Sequence, residues 1–133
     1  MRVVIDTNVL VSSLLTSQGK PARILSLAVN GKLIPLYDGR ILAEYRQVLF
    51  RRKFGFSPSM VEPLLDYLEH EGEAVSAEPF SGPFPDEDDR KFYEVAVSGG
   101  AEALITGNTP HFPAVKLVRT PAQFLTLWAG REE

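Results

Sequence analysis

The sequence predicts a three-layer α/β/α sandwich whose central parallel sheet has four or five strands, and three observations carry that fold class. Short aliphatic runs alternate with helical periodicity, the arrangement of successive βαβ units. The first run, Val3-Val4-Ile5, is continuously apolar and bounded at once by polar residues, as expected of a strand buried on both faces. A carboxylate, Asp6, follows directly, and the carboxyl ends of parallel strands form the crevice where open sheets bind ligands. With 133 residues the chain fits one domain over 1–133.

Each element has a local cause. After the first strand, Val9 to Leu15 continues helically, and Pro21 opens a second helix that runs to Asn30 and stops at Gly31. Leu33 to Tyr37 reads as the second strand, ending at Asp38-Gly39, and Ile41 to Arg52 as the next helix. Ser57-Pro58 starts a helix with Val61, Leu64, Leu65 and Leu68 at amphipathic spacing up to Glu71, ended by Gly72. Glu73 to Ala77 is the third strand. The prolines and glycine of 79–85 exclude regular structure and make this the longest loop. Asp86 to Ser98 is helical and is ended by Gly99-Gly100; Ala103 to Thr106 and Lys116 to Val118 are the last strands. Thr120-Pro121 opens a final helix containing Phe124, Leu125 and Trp128.

Composition narrows the chemistry. No apolar run approaches a membrane span, and with a strand at residue 2 no leader segment is expected, so the reading is cytoplasmic with no membrane partner. Zero cysteines remove disulfides, thiolate zinc sites and cysteine nucleophiles together. His70 and His111 are isolated, and neither stands in a His-x-x-x-His pattern, which argues against zinc. The net charge of -3 hides an asymmetry: residues 1–61 carry nine basic and three acidic side chains, residues 62–94 two basic and eleven acidic. Arg40, Arg46, Arg51, Arg52 and Lys53 concentrate enough positive charge to hold phosphates, with solvated helix surface as the plainer explanation of any one of them.

Three acids stand where apolar faces are expected. Asp6 ends the first strand, with helix capping as its alternative role. In the helix from Ile41, the residues Ile41, Tyr45, Val48 and Leu49 define the buried stripe, and Glu44 lies inside it. An ionised carboxylate there costs several kcal/mol, roughly, unless a metal or a cation such as Arg40 or Arg51 faces it. In the helix from Asp86, the stripe is Phe92, Tyr93, Ala96 and Val97; Asp89 shares that face, although helix-dipole charge also accounts for acids at this end. Glu87 is spaced to pair with Lys91. Joined in one crevice, Asp6, Glu44 and Asp89 would repel unless a cation lay between them, and oxygen ligands select a hard ion, Mg²⁺ or Mn²⁺. Such an ion typically works on phosphates, which makes phosphodiester hydrolysis the leading reaction. No phosphate-binding Gly-x-x-x-x-Gly-Lys-Ser/Thr loop, dinucleotide fingerprint or Gly-x-Ser-x-Gly elbow is present.

Four segments in order, Val4-Ile5-Asp6-Thr7-Asn8-Val9-Leu10, Glu44, Asp86 to Phe92 and Leu104-Ile105-Thr106-Gly107-Asn108, resemble the PIN domain nucleases, particularly the toxin components of bacterial and archaeal toxin-antitoxin systems. The resemblance implies a PIN-like sandwich, Mg²⁺ or Mn²⁺ dependence and RNA cleavage by metal-activated water. It further implies a homodimer, inhibition by a cognate antitoxin protein, and metal binding by Asp6, Glu44 and Asp89, with Asp88 the alternative if register slips by one. Asn108 departs from a further aspartate common in the family, although the Thr-Gly-Asn form with His111-Phe112 is similar to one sub-branch. Thr7, Asn8 and Thr106 look like residues that orient carboxylates or waters, with helix capping as the alternative.

Arg46, Arg51 and Arg52 are the candidate RNA-backbone contacts, and Leu25 and Leu64 would suit a twofold dimer contact if exposed. An aspartate-nucleophile phosphatase would need a second aspartate where Asn8 stands, and a receiver domain would need an acidic pair at the first strand. The second reading is a catalytically weak PIN-like domain that binds RNA or a protein partner without cutting.

Overall fold

The computed structural model describes residues 1–132. Arg2–Ile5 (β1) leads through Thr7–Leu15 (α1) and Lys20–Val29 (α2) to Ile34–Tyr37 (β2). Gly39–Leu49 (α3) and Pro58–Glu71 (α4) lead to Glu73–Ala74 (β3), and Arg90–Ser98 (α5) to Ala103–Ile105 (β4). Val118–Arg119 (β5) and Pro121–Glu132 (α6) complete the chain, with 3₁₀ turns at Arg52–Phe54, Glu87–Asp89 and Thr109–His111.

The five strands form one parallel sheet in the order β3-β2-β1-β4-β5. Connections from β1 to β2 and on to β3 step outward in one direction, whereas β3 to β4 crosses back to the far side of β1. Right-handed crossovers therefore put α5 on the face opposite α1, α2 and α4. The packing agrees: α5 lies on β1, β2 and β4, α2 touches α1 and α6, and the Tyr67 hydroxyl of α4 donates to the Ala28 carbonyl of α2 at 3.1 Å. This is the α/β/α sandwich that the alternation of elements predicts. Val3, Val4 and Ile5, at most 1% exposed, sit at its centre. Because the chain leaves β1 toward β2 and β4 toward β5, the sheet opens between the carboxyl ends of β1 and β4, the place for a ligand crevice.

Several boundaries differ from the sequence reading, each for a tertiary reason. The fifth strand is Val118–Arg119, not Lys116 to Val118, because pairing of Leu104 with Val118 and Ile105 with Arg119 fixes the register. The third strand is cut to Glu73–Ala74; beyond the Val75 N–H bond to the Tyr37 carbonyl the chain leaves the sheet, and Glu78 N–H donates to Ser98 Oγ instead. In α5 the buried apolar positions are Phe92, Val95 and Ala96, and Val97 is 55% exposed. The first residues of that predicted helix form a 3₁₀ turn, and the face laid on the sheet follows the i, i+3, i+4 row from Phe92. Leu25 and Leu64 are half-buried against the core rather than exposed. Among the described residues no helix is long and apolar enough to cross a membrane.

One glycine is required by a close approach. A Cβ on Gly72, where α4 turns into β3, would stand 2.4 Å from the Leu68 carbonyl oxygen and 2.5 Å from that of Pro35. Both neighbours are backbone in core elements and have nowhere to go. Gly72→Ala is expected to cost about 2–3 kcal/mol through this overpacking, read as a lower urea midpoint; an unchanged midpoint would refute the clash.

Candidate metal centre

Asp6 directly follows β1 and is 4% exposed. Its backbone N–H donates to the Ile105 carbonyl at 2.9 Å, continuing the β1–β4 ladder one residue past the strand, so the carboxylate has a fixed starting point. Although it is the residue before α1, its side chain makes no capping bond. Oδ2 instead accepts from Thr106 Oγ1 at 2.8 Å and from Asn8 Nδ2 at 3.3 Å. Asn8 Oδ1 in turn accepts from Gly107 N–H at 3.1 Å, and Thr106 Oγ1 from Asn108 N–H at 2.9 Å. The carboxyl ends of β1 and β4 are thus tied together around Asp6. Burial pushes the Asp6 carboxyl up to about 7, with Asp89 and Glu44 adding repulsion against the Thr106 hydrogen bond.

Glu44 enters from α3. Ile41, Tyr45 and Leu49 bury one stripe of this helix, and the Tyr45 hydroxyl donates to the Ile5 carbonyl, fixing α3 over the end of β1. Glu44 and Val48, one turn apart, consequently line the crevice. Glu44 Oε2 accepts from Thr7 Oγ1, and Oε1 pairs with Lys91 Nζ at 2.8 Å. The partner of this acid is therefore a lysine of α5, not Arg40 or Arg51. Lys91 is correspondingly unavailable to Glu87, which pairs with Arg90 at 2.6 Å. A partly enclosed carboxylate outcompetes an exposed helical neighbour because attraction is less screened there.

Asp89 comes from the opposite face of the sheet, at the start of α5, and also makes no capping bond; Asp86 caps the 3₁₀ turn through Asp88 N–H at 3.0 Å. Burial raises the Asp89 carboxyl, a hydrogen bond with His111 lowers it, and Asp86 raises it again. The His111 Nδ1 contact is 2.9 Å, and Asp86 Oδ2 lies 3.4 Å from the same nitrogen. One ligand atom each from Asp86, Asp89 and His111 fall within 4.8 Å of one another.

Asp6, Glu44 and Asp89 line one crevice of about 440 Å³ with Thr7, Asn8, Asp88 and Asn108, whereas the ligand atoms close enough to share one ion among the described residues are those of Asp86, Asp89 and His111. Thr106 stands behind Asp6, fully buried. The arginines do not line it. Arg46 is held by Glu62 at 2.7 and 3.1 Å, Arg51 faces an adjoining depression with Glu44, Asp88 and Lys91, and Arg52 begins the exposed 3₁₀ turn that brings Phe54 to the crevice wall. Sequence reasoning missed Asp86 and His111 as neighbours of Asp89. The available signal was the pair of acids three apart around a helix start, together with a histidine three residues after Asn108.

The crevice gathers five carboxylates, Asp6, Glu44, Asp86, Asp88 and Asp89, with Lys91 as the ammonium paired to Glu44. A hard divalent cation fits this donor set, since it would offset the burial and, after it, the mutual repulsion that raise Asp6 and Asp89. A family model described as the PIN domain matches residues 2–110. No curated protein matches the chain.

Proposed function

Because the chain belongs to the PIN domain family, we propose that it is a Mg²⁺- or Mn²⁺-dependent endoribonuclease, the toxin of a toxin-antitoxin pair. Family membership points to nuclease chemistry, and the acidic cluster that could bind metal agrees with it. The observation that carries the reading is a buried Asp6 raised to about 7 in a crevice that holds four further carboxylates, a state that metal binding would relieve. Asp6, Glu44 and Asp89 would hold the ion. When bound, it supplies Lewis-acid polarisation of a phosphate oxygen and makes hydroxide accessible near neutral pH.

The remaining chemistry belongs to the protein. Thr106 and Asn8 orient the Asp6 carboxylate, and Thr7 orients Glu44, so the acids are preorganised. Lys91 pairs with Glu44 and would share that carboxylate with a bound metal. Asp88, next to Asp89, lines the outer wall. Asn108 at the rim offers an amide oxygen without negative charge, which favours one tightly held ion over two. Arg51 and Arg52, both exposed and just beyond α3, are the RNA-backbone contacts of this reading; the Glu62 pair occupies Arg46. A cytoplasmic homodimer inhibited by an antitoxin protein completes the proposal.

The test is cleavage of a panel of structured and single-stranded RNAs in Mg²⁺, in Mn²⁺ and in chelator. Endonucleolytic products with either ion and none in chelator are expected. Binding without cleavage under every condition would replace this reading with the non-cutting RNA-binding domain, which the Asn108 departure favours.

A further inference from the structure

A groove of about 740 Å³ lies beside the crevice rather than in it. Residues Thr109–His111 form the ridge between them: Asn108 and His111 line the acidic side, Thr109 and Pro110 the other. The groove's charged members are Lys116 and Arg119, and no acid lines it. Neither cation has a carboxylate partner among the described residues. Arg119 Nε is moreover a buried donor with no acceptor. A guanidinium with neither counter-ion nor full hydrogen bonding is costly, and structures keep one where an anion completes it.

Topology gives this anion site a role. Arg119 ends β5 opposite Ile105, and its carbonyl accepts from Thr106 N–H at 2.9 Å, so it stands on the same carboxyl edge as Asp6, two strands away. Strand spacing makes that roughly 10 Å, which a nucleic acid strand covers within a couple of nucleotides. We propose that Lys116 and Arg119 form a phosphate subsite for the strand that enters the acidic crevice, the backbone passing over the 109–111 ridge. A polyanion approaching five carboxylates needs flanking positive charge, and this groove supplies it on the side away from Arg51 and Arg52. The inference rests on the nuclease reading for its polarity, but the subsite itself is read by binding.

Fluorescence anisotropy of a labelled single-stranded RNA of about 12 nucleotides would be measured across a salt series in the Asp6→Asn background with Mg²⁺. Arg119→Gln and Lys116→Gln are each expected to lower the salt slope by about 1 and affinity by about tenfold at fixed salt. Arg119→Lys should keep the slope, which separates lost charge from lost packing. Lys32→Gln, just before β2 at the amino edge of the sheet, is the charge-matched control and should leave it unchanged. Slopes for both groove variants equal to that of Lys32→Gln would overturn the subsite, whether or not wild type cleaves. Lowered slopes beside a wild type that never cleaves would retain the subsite and sink the nuclease reading.

Discussion

Asp6→Asn is expected to abolish metal-dependent RNA cleavage, by about a thousandfold or more, and at the same time to stabilise the metal-free protein at alkaline pH. Loss of activity follows from removing the most buried of the candidate metal ligands, on the scale seen when a preorganised electrostatic group is deleted. The gain in stability follows from its pKa. Burial, then repulsion from Asp89 and Glu44, raises the carboxyl from 3.8 to about 7 in the folded protein. Between those values the native state binds a proton that the unfolded chain has released, so stability falls as pH rises. Its full loss, above pH 7, is on the order of 4 kcal/mol. An asparagine keeps the shape and a hydrogen-bonding oxygen for Thr106 without that charge.

In chelator the wild type should therefore melt lower at pH 8 than at pH 5, and Asp6→Asn should flatten the difference. Mn²⁺ should raise the wild-type melting temperature at pH 8, and the variant's much less, because only a state that binds the ion gains from it. A wild type whose metal-free stability rises from pH 5 to pH 8, or a variant that cleaves at the wild-type rate, would remove Asp6 from the site.

How much of this was legible in sequence differs by distance along the chain. Asp6 and Glu44 could be placed because each sits in an uninterrupted local pattern, a four-residue strand and an apolar helical stripe, whose periodicity fixes where a side chain points. Partners across elements had no such signal. Lys91 was assigned to Glu87 by the i+4 rule, and the structure gives it to Glu44, forty-seven positions earlier in the chain. The short fifth strand starts two residues later and ends one later than its composition suggests, because its register belongs to β4. His111 read as an isolated loop histidine, and only the closing of the sheet between β1 and β4 brings it against Asp89. The neglected residue was Glu94. Sequence gave it no role, yet it is 6% exposed, more enclosed than either Glu44 or Asp89.

Glu94 fastens the proline-rich segment that carries the third acid into place. One oxygen pairs with Arg40 of α3 at 2.8 Å, and the other accepts from Phe80 N–H at 2.8 Å. Arg90 ties the same segment at the Phe80 and Gly82 carbonyls, and Phe80 and Phe84 pack against Tyr93. Burial pushes the Glu94 carboxyl up, but Phe80 N–H and Arg40 more than offset it, so the group stays below its ordinary range. Its contribution is thus present above the unfolded pKa and lost as pH falls through the folded one, the opposite sense to Asp6.

Glu94→Ala would leave a backbone N–H without its acceptor and remove one of the two ion pairs that tie α3 to α5. About 2–4 kcal/mol of stability should go with it. Because Asp86 and Asp89 follow directly from the segment so fastened, cleavage should fall about tenfold even where the protein remains folded, as displacement of a ligand by a fraction of an ångström allows. Glu94→Gln, which keeps an acceptor oxygen for one of the two donors but turns an amide NH₂ toward the other, should recover only part of the rate. A Glu94→Ala protein with the wild-type urea midpoint and the wild-type rate would show that Asp89 is held by α5 alone.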